Sequence, residues 1–196
     1  MPHSHLANEM IDIGHACHQR GWVPASGGNF SARIDNNTVL VTRSGVHKGH
    51  LSKDDFLRVD LLGTVLDVEK KPSAETLLHC ERYRALPVTG AVLHTHSVAT
   101  TVIPADYGTV TLAGYELLKI FEGIHTHETS IEIPVFENDQ DMPRLAAKVA
   151  EYNPVHAYII AGHGVYVWGK DLNQCYNRLE ALEFLLECEW QKHQWK

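Results

Sequence analysis

The sequence predicts an α/β chain, in which helices cover a sheet, and three patterns predict it. Apolar residues recur at helical spacing in residues 5–20 and again after Asp171. Short apolar runs bounded by Gly, Asn and Asp read as strands, several of them joined by turns of hairpin length. One run, Gly90-Ala91-Val92-Leu93-His94-Thr95-His96, is of the buried type until it ends in two histidines. At 196 residues, 44% of them hydrophobic, the chain can bury a substantial core, and a single domain over 1–196 is expected.

Leu6, Met10, Ile13 and Cys17 lie on one face of a first helix that Gly21 closes. The glycine-rich turn Ala25-Ser26-Gly27-Gly28-Asn29-Phe30-Ser31 enters a strand over 30–34, and Asp35-Asn36-Asn37 returns the chain into a strand over 38–42. A second polar turn, Arg43-Ser44-Gly45, follows. Ser52 is placed to cap a short helix over 51–56, and residues 57–60 and 64–68 alternate about Leu62-Gly63 as a hairpin. Lys70-Lys71-Pro72 breaks the pattern. Ser73 is then expected to cap a helix running to about Ala85, with Leu77, Leu78, Cys80 and Tyr83 facing inward.

Beyond His96 the sequence predicts a short helix over 97–102, a strand over 109–112, and a turn at Ala113-Gly114-Tyr115 leading into a helix that carries Glu116. A strand over 131–135 should end near Pro134, and a helix should occupy 142–152. Strands over 156–162 and 165–168 pair as a hairpin. Asp171 caps a long last helix with Cys175, Leu179, Leu182, Leu185, Leu186 and Trp190 at core spacing.

Charge excludes some function classes. A formal net charge of −7, with no run of lysine and arginine, argues against nucleic acid or an anionic membrane surface as partner. No apolar stretch approaches the roughly 18 residues of a membrane span. The opening MPHSHLANEM is too polar for a secretory signal, so a cytoplasmic protein is expected. Cys17, Cys80, Cys175 and Cys188 form no C-x-x-C pair and are expected to be reduced and mostly buried.

Residues at i and i+2 of a strand share a face, so His94 and His96 can converge on one ion, and the strand over 156–162 delivers His163 just before Gly164. Three imidazoles from two strands suit a catalytic divalent metal with an open coordination position. His3-Ser4-His5 and His125-Thr126-His127 repeat the spacing without a strand to feed them and are expected to be solvated. The two polar turns let backbone N–H groups approach an anion, which predicts a cradle without net positive charge. Ser73 and Glu75 lie where a helix start would face the same anion, although an acidic first-turn residue also suits the helix dipole alone. Glu116 sits beside Leu117 and Leu118, and desolvation there would raise its pKa toward proton transfer. Pairing with Lys119 would instead make it an ordinary surface glutamate.

Five motifs in register, Gly28-Asn29-Phe30-Ser31, Thr42-Arg43-Ser44-Gly45, Pro72-Ser73-Ala74-Glu75, His94-Thr95-His96 and His163-Gly164-Val165-Tyr166-Val167-Trp168-Gly169, resemble the class II aldolase/adducin-like family over nearly the whole chain. The resemblance implies a three-layer α/β/α fold around a mainly antiparallel sheet. It implies a homotetramer with active sites near subunit interfaces, and one zinc ion per subunit on His94, His96 and His163. A phosphate pocket carries over to Gly28, Asn29, Ser44, Gly45 and Ser73, which makes the substrate a small phosphorylated sugar. Within the family, the segment Gly114-Tyr115-Glu116-Leu117-Leu118-Lys119 resembles a dehydratase branch in which Glu116 is the catalytic acid/base. Glu75 aligns with the acid/base of the aldolase branch and is left as metal ligand, substrate contact or relic. The end at Lys196, without the longer tyrosine-bearing tail of many aldolase relatives, favours the dehydratase branch. The implied activity is a lyase that removes water from a phosphorylated ketose. The alternatives are an aldolase cleaving a sugar phosphate and a binding module without chemistry.

Overall fold

The computed structural model describes residues 3–67, 71–103 and 108–194. In chain order these form α1 (Ser4–Gln19), β1 (Asn29–Arg33), β2 (Thr38–Thr42), β3 (Phe56–Asp60), α2 (Thr76–Ala85), β4 (Ala91–Thr95), α3 (Val98–Thr101), β5 (Thr109–Ala113), β6 (Ser130–Phe136), α4 (Met142–Tyr152), β7 (Ala157–Ile160), β8 (Gly164–Gly169) and α5 (Leu172–Gln194). Short 3₁₀ turns occupy Lys48–His50, Lys53–Asp55 and Glu116–Ile120. The strands make one eight-stranded sheet in the order β3-β2-β1-β4-β8-β7-β6-β5. Every neighbouring pair is antiparallel except β6 with β7. The mainly antiparallel sheet is as expected.

Both faces of the sheet are covered, which is why β4 and β8 read as continuous apolar runs rather than alternating ones. Phe30, Leu93, Val165 and Val167 pack with Met10 and Cys17 of α1 and Leu179, Leu182 and Leu186 of α5. Val92, Tyr166 and Trp168 point the other way, onto Leu78 and Tyr83 of α2 and Leu145 and Val149 of α4. The result is a three-layer arrangement with β4 near its centre. Helix ends follow their chemistry: Gly21 takes φ +75° after α1, Ser97 caps α3, Asp141 caps α4, and Asp171 accepts from Gln174 N at 2.7 Å to cap α5. Cys17, Cys80 and Cys175 are buried free thiols, and Cys188 is half-buried, also free.

Three local expectations need correction. Ser73 does not cap α2, which begins only at Thr76. Residues 71–72 are held extended against the 43–44 turn, with Arg43 bridging Pro72 and Ser44 N donating to Lys71 O at 3.0 Å, so the helix cannot start earlier. Ser73 instead anchors the turn ahead of the helix, its carbonyl accepting from Thr76 N and Oγ1. The hairpin expected over 57–68 forms without a regular second strand, held by the bridge between Val59 and Val65 and by the bonds from Asp60 N to Thr64 O and from Leu66 N to Arg58 O, and Val68 lies outside the described residues. Finally, β6 runs through Pro134 to Phe136. Pro134 is its last residue paired with β5, and Val135 the first paired with β7, so the residue lacking an N–H sits at the handover between partners.

One buried carboxyl predicts a measurable pH effect. Glu183 of α5 is 2% exposed, accepts from Thr95 Oγ1, and leaves Oε2 without a partner among the described residues. Burial pushes its pKa up to about 7. A folded-state value above the unfolded one stabilises the fold fully below the unfolded pKa, and that contribution is lost as pH rises through about 7. Glu183→Gln is therefore expected to leave stability unchanged near pH 4.5 and to raise it above pH 7.5 by roughly 3 kcal/mol, read by denaturant titration at both pH values.

Candidate metal centre

His94 stands on the face of β4 that Val92 shares, and its register partner on β8, Tyr166, stacks on it with ring centroids 3.9 Å apart and planes 12° off parallel. Tyr158 of β7 stacks in turn on Tyr166 at 4.8 Å. His96 follows the end of β4, and its backbone N is fixed by Trp22 O at 2.7 Å. His163 arrives from the tight β7–β8 turn. That turn can press against β4 because residue 164 is glycine: a Cβ there would lie 2.0 Å from Thr95 O. The three predicted histidines thus meet, with Nε2 of His94 at 2.8 Å from Nε2 of His96 and 3.4 Å from Nε2 of His163.

The cluster has the chemistry of a cation site. His94 Nδ1 is assigned as the donor to Val165 O at 2.9 Å, which leaves its Nε2 a lone pair aimed at the other two rings. Burial holds His94 well below the usual imidazole range and His96 down at about 4, so both are neutral at neutral pH, the form that binds metal. Glu75 adds a carboxylate, with Oε1 3.0 Å from His163 Nε2 and Oε2 3.3 Å from His94 Nε2. Lone pairs facing a carboxylate in a buried site repel one another unless a cation lies between them. Tetrahedral imidazole ligands at 2.0–2.1 Å sit on the order of 3.3 Å apart, close to the observed spacing. Among the described residues these three are the His, Cys, Asp or Glu side chains that converge this way.

Glu75 is held by a buried polar chain that sequence reading missed. Asn29 Nδ2 donates to Oε2 at 2.6 Å and Tyr166 OH donates at 2.8 Å. His79 Nε2 bonds Asn29 Oδ1, His79 Nδ1 meets Ser31 Oγ at 2.7 Å, and Ser31 meets Tyr83 OH at 2.8 Å. Burial alone would raise the Glu75 pKa, but the neighbouring imidazoles and these donors hold it well below the carboxylate range, so Glu75 is an anion. Its signal in the sequence is Glu75, His79 and Tyr83 at i, i+4 and i+8, a polar stripe on the buried side of α2.

A cavity of about 270 Å³ opens beside the histidines, lined by all five predicted phosphate residues, Gly28, Asn29, Ser44, Gly45 and Ser73, together with Glu75 and His96. Gly28 takes φ +74° and a Cβ there would meet His94 O at 2.6 Å, so the turn requires glycine. The expectation of a cradle without positive charge is corrected, because Arg43 and Lys48 also line it. Arg43 is spent on Asp55 at 2.8 Å, whereas Lys48 is 2% exposed and bonds only carbonyls.

Glu116 does not join this cavity within the chain. Its side chain is 70% exposed and paired with Lys119, and its pKa is lowered by that hydrogen bond rather than raised, so the expected desolvation is absent. His125 and His127 are exposed, as expected, and His127 Nδ1 lies 3.7 Å from Glu116. His5 is exposed and His3 half-buried.

Comparison with known proteins agrees with this geometry. The family model described as Class II Aldolase and Adducin N-terminal domain matches residues 8–190. The chain belongs to the class II aldolase/adducin family. Within the family it is 54% identical over 190 residues to a methylthioribulose-1-phosphate dehydratase of Acidiphilium cryptum, covering 95% of this chain and 90% of that one. It is 51% identical over 192 residues to the enzyme of the same name from Methylococcus capsulatus, covering 95% and 94%. The crystal structure of an l-fuculose-1-phosphate aldolase from Thermus thermophilus superposes with a TM-score of 0.81 at 24% identity, over 98% of this chain and 96% of that one, and it establishes the shared class II aldolase fold.

Proposed function

We propose that the chain is a methylthioribulose-1-phosphate dehydratase, a hydro-lyase that converts 5-methylthioribulose 1-phosphate to 2,3-diketo-5-methylthiopentyl 1-phosphate and water in methionine salvage. In this reading it is a single-domain, cytoplasmic, zinc-dependent homotetramer. The observation that carries the reading is that the cavity of the anion cradle is lined by His96, one of three converging imidazoles, and by Glu75, which lies against the other two. The high identity to dehydratases along the whole chain favours this chemistry over the aldolase alternative.

His94, His96 and His163 would hold a divalent cation, which would supply Lewis acidity to the substrate's ketone. The chain's own residues do the rest. The cradle of Gly28, Asn29, Ser44, Gly45 and Ser73 takes the phosphate and fixes the sugar's register against the histidines. Glu116 moves a proton between carbon 3 and the departing hydroxyl of carbon 4. It does so from a neighbouring subunit, a placement supported by its distance from the cavity lining and by the exposed apolar flanks Leu117 and Ile120, 42% and 38% exposed, which suit an interface. Glu75, an anion gripped by Asn29 and Tyr166, is assigned to orient the reacting hydroxyl and stay ionised.

The test is product analysis with the metal-loaded protein. Methylthioribulose phosphate is expected to lose one water and give an ultraviolet-absorbing diketone, while fuculose phosphate gives no aldehyde. Release of a two- or three-carbon aldehyde would replace this reading with the aldolase one.

A further inference from the structure

Two cations line the cradle, and of these Arg43 is paired with Asp55. Lys48 is 98% removed from solvent, yet its ammonium has no carboxylate within ion-pair distance among the described residues. Nζ donates to Ser26 O and to Val46 O, each at 2.7 Å. An ammonium carries three N–H donors, so one is left over, and the residue lines the cavity together with Ser44, Ser73 and Glu75. The nearest opposing charge is Glu75 across the cavity, which favours the ammonium without bonding it, and a buried cation held at that remove is costly unless an anion arrives to pair with it directly.

The backbone around Lys48 is fixed as firmly as the side chain. A Cβ on Gly14 of α1 would lie 2.4 Å from Lys48 O, so a glycine in mid-helix lets α1 press directly against this residue. The two carbonyls that Nζ holds belong to the two turns forming the cradle, 25–28 and 43–46. Lys48 therefore ties both turns together while keeping one donor free. Burial lowers its pKa to about 8, which leaves the side chain charged at neutral pH.

We propose that Lys48 is the counter-ion of the substrate's phosphate: its third N–H meets a phosphate oxygen in the cradle, and its two carbonyl bonds lock the turns around that group. This deepens the proposed function by naming the charge that selects a phosphorylated sugar over a free one, and it rests on that reading for the identity of the sugar alone.

Two measurements test it, one of them independent of turnover. In crystals of the unaltered protein soaked with inorganic phosphate, an ion is expected in the cradle with an oxygen about 2.7–3.0 Å from Lys48 Nζ. An ion bound beyond about 4 Å from Nζ, or no ion in the cradle, overturns the assignment. In solution, Lys48→Gln keeps a donor for the carbonyls and removes the charge. It is expected to raise KM for methylthioribulose phosphate by about 100-fold, to change kcat by less than about fivefold, and to abolish competitive inhibition by inorganic phosphate, with metal content unchanged. Phosphate inhibition within about threefold of the unaltered protein overturns it. Should Lys48→Gln fail to fold, the crystal measurement still decides. Should the protein turn over a different sugar phosphate, phosphate binding at Lys48 stands while the substrate assignment falls.

Discussion

Alanine at position 163 is expected to strip the metal and the activity together. His163 Nε2 contacts only the histidine cluster and Glu75, its Nδ1 has no partner among the described residues, and the bonds from Thr101 Oγ1 to His163 O at 3.0 Å and from His163 N to Ile160 O at 3.1 Å use the backbone. The variant should therefore fold, with the thermal midpoint of the metal-free form within about 4 °C of the unaltered apoprotein. Metal in the purified variant should fall below about a tenth of an equivalent, and turnover by about 10⁴-fold. Elemental analysis beside a steady-state assay reads both quantities. Stoichiometric metal in the variant would show that His94 and His96 hold the cation without it, and the three-ligand assignment would be withdrawn.

The second large effect concerns Glu116, and it asks where the active site lies. Glu116→Gln is expected to lower kcat by about 10³-fold while KM stays within about threefold and metal content is unchanged, since the side chain is remote from the cluster within its own chain. If the glutamate acts across a subunit boundary, two dead proteins rescue each other. Chains carrying Glu116→Gln supply intact histidines, and chains carrying His163→Ala supply an intact Glu116. Subunits mixed in equal amounts should then regain roughly one quarter of full activity, the statistical share of complete sites. No recovery in a mixture shown to have exchanged subunits would confine the site to one chain and remove Glu116 from the cross-boundary role.

The parts of this molecule that sequence reading captured are those written in a short period. His94 and His96 were legible because a strand repeats every two residues, and His163 because a second apolar run ended in it next to a glycine. Hairpins and helix caps at Ser97, Asp141 and Asp171 are local chemistry as well. Ser73 misled because its capping pattern is also local, while the pairing of 71–72 with the 43–44 turn that delays α2 is not. Lys48 was invisible for the same reason. Nothing adjacent in sequence announces that Ser26, Val46 and Gly14 will enclose its side chain and backbone. Glu116 shows the opposite failure: apolar neighbours in the sequence suggested burial, but Leu117 faces solvent and only Leu118 turns inward.

The ring column from His94 through Tyr166 to Tyr158 carries one more implication. It connects the His94 imidazole to two wholly enclosed tyrosines, of which Tyr158 also touches Phe136 and Trp168. Shifting that imidazole by even about half an ångström would require the interior of the sheet's α2 face to be rebuilt, so its place in the three-histidine cluster is set by interior volume. Adaptation to new sugars on this scaffold should therefore leave the three-histidine cluster untouched. It should proceed through residues outside the turns at 25–28 and 43–46, because Gly28 admits no side chain beside His94 O and Lys48 ties the two turns together.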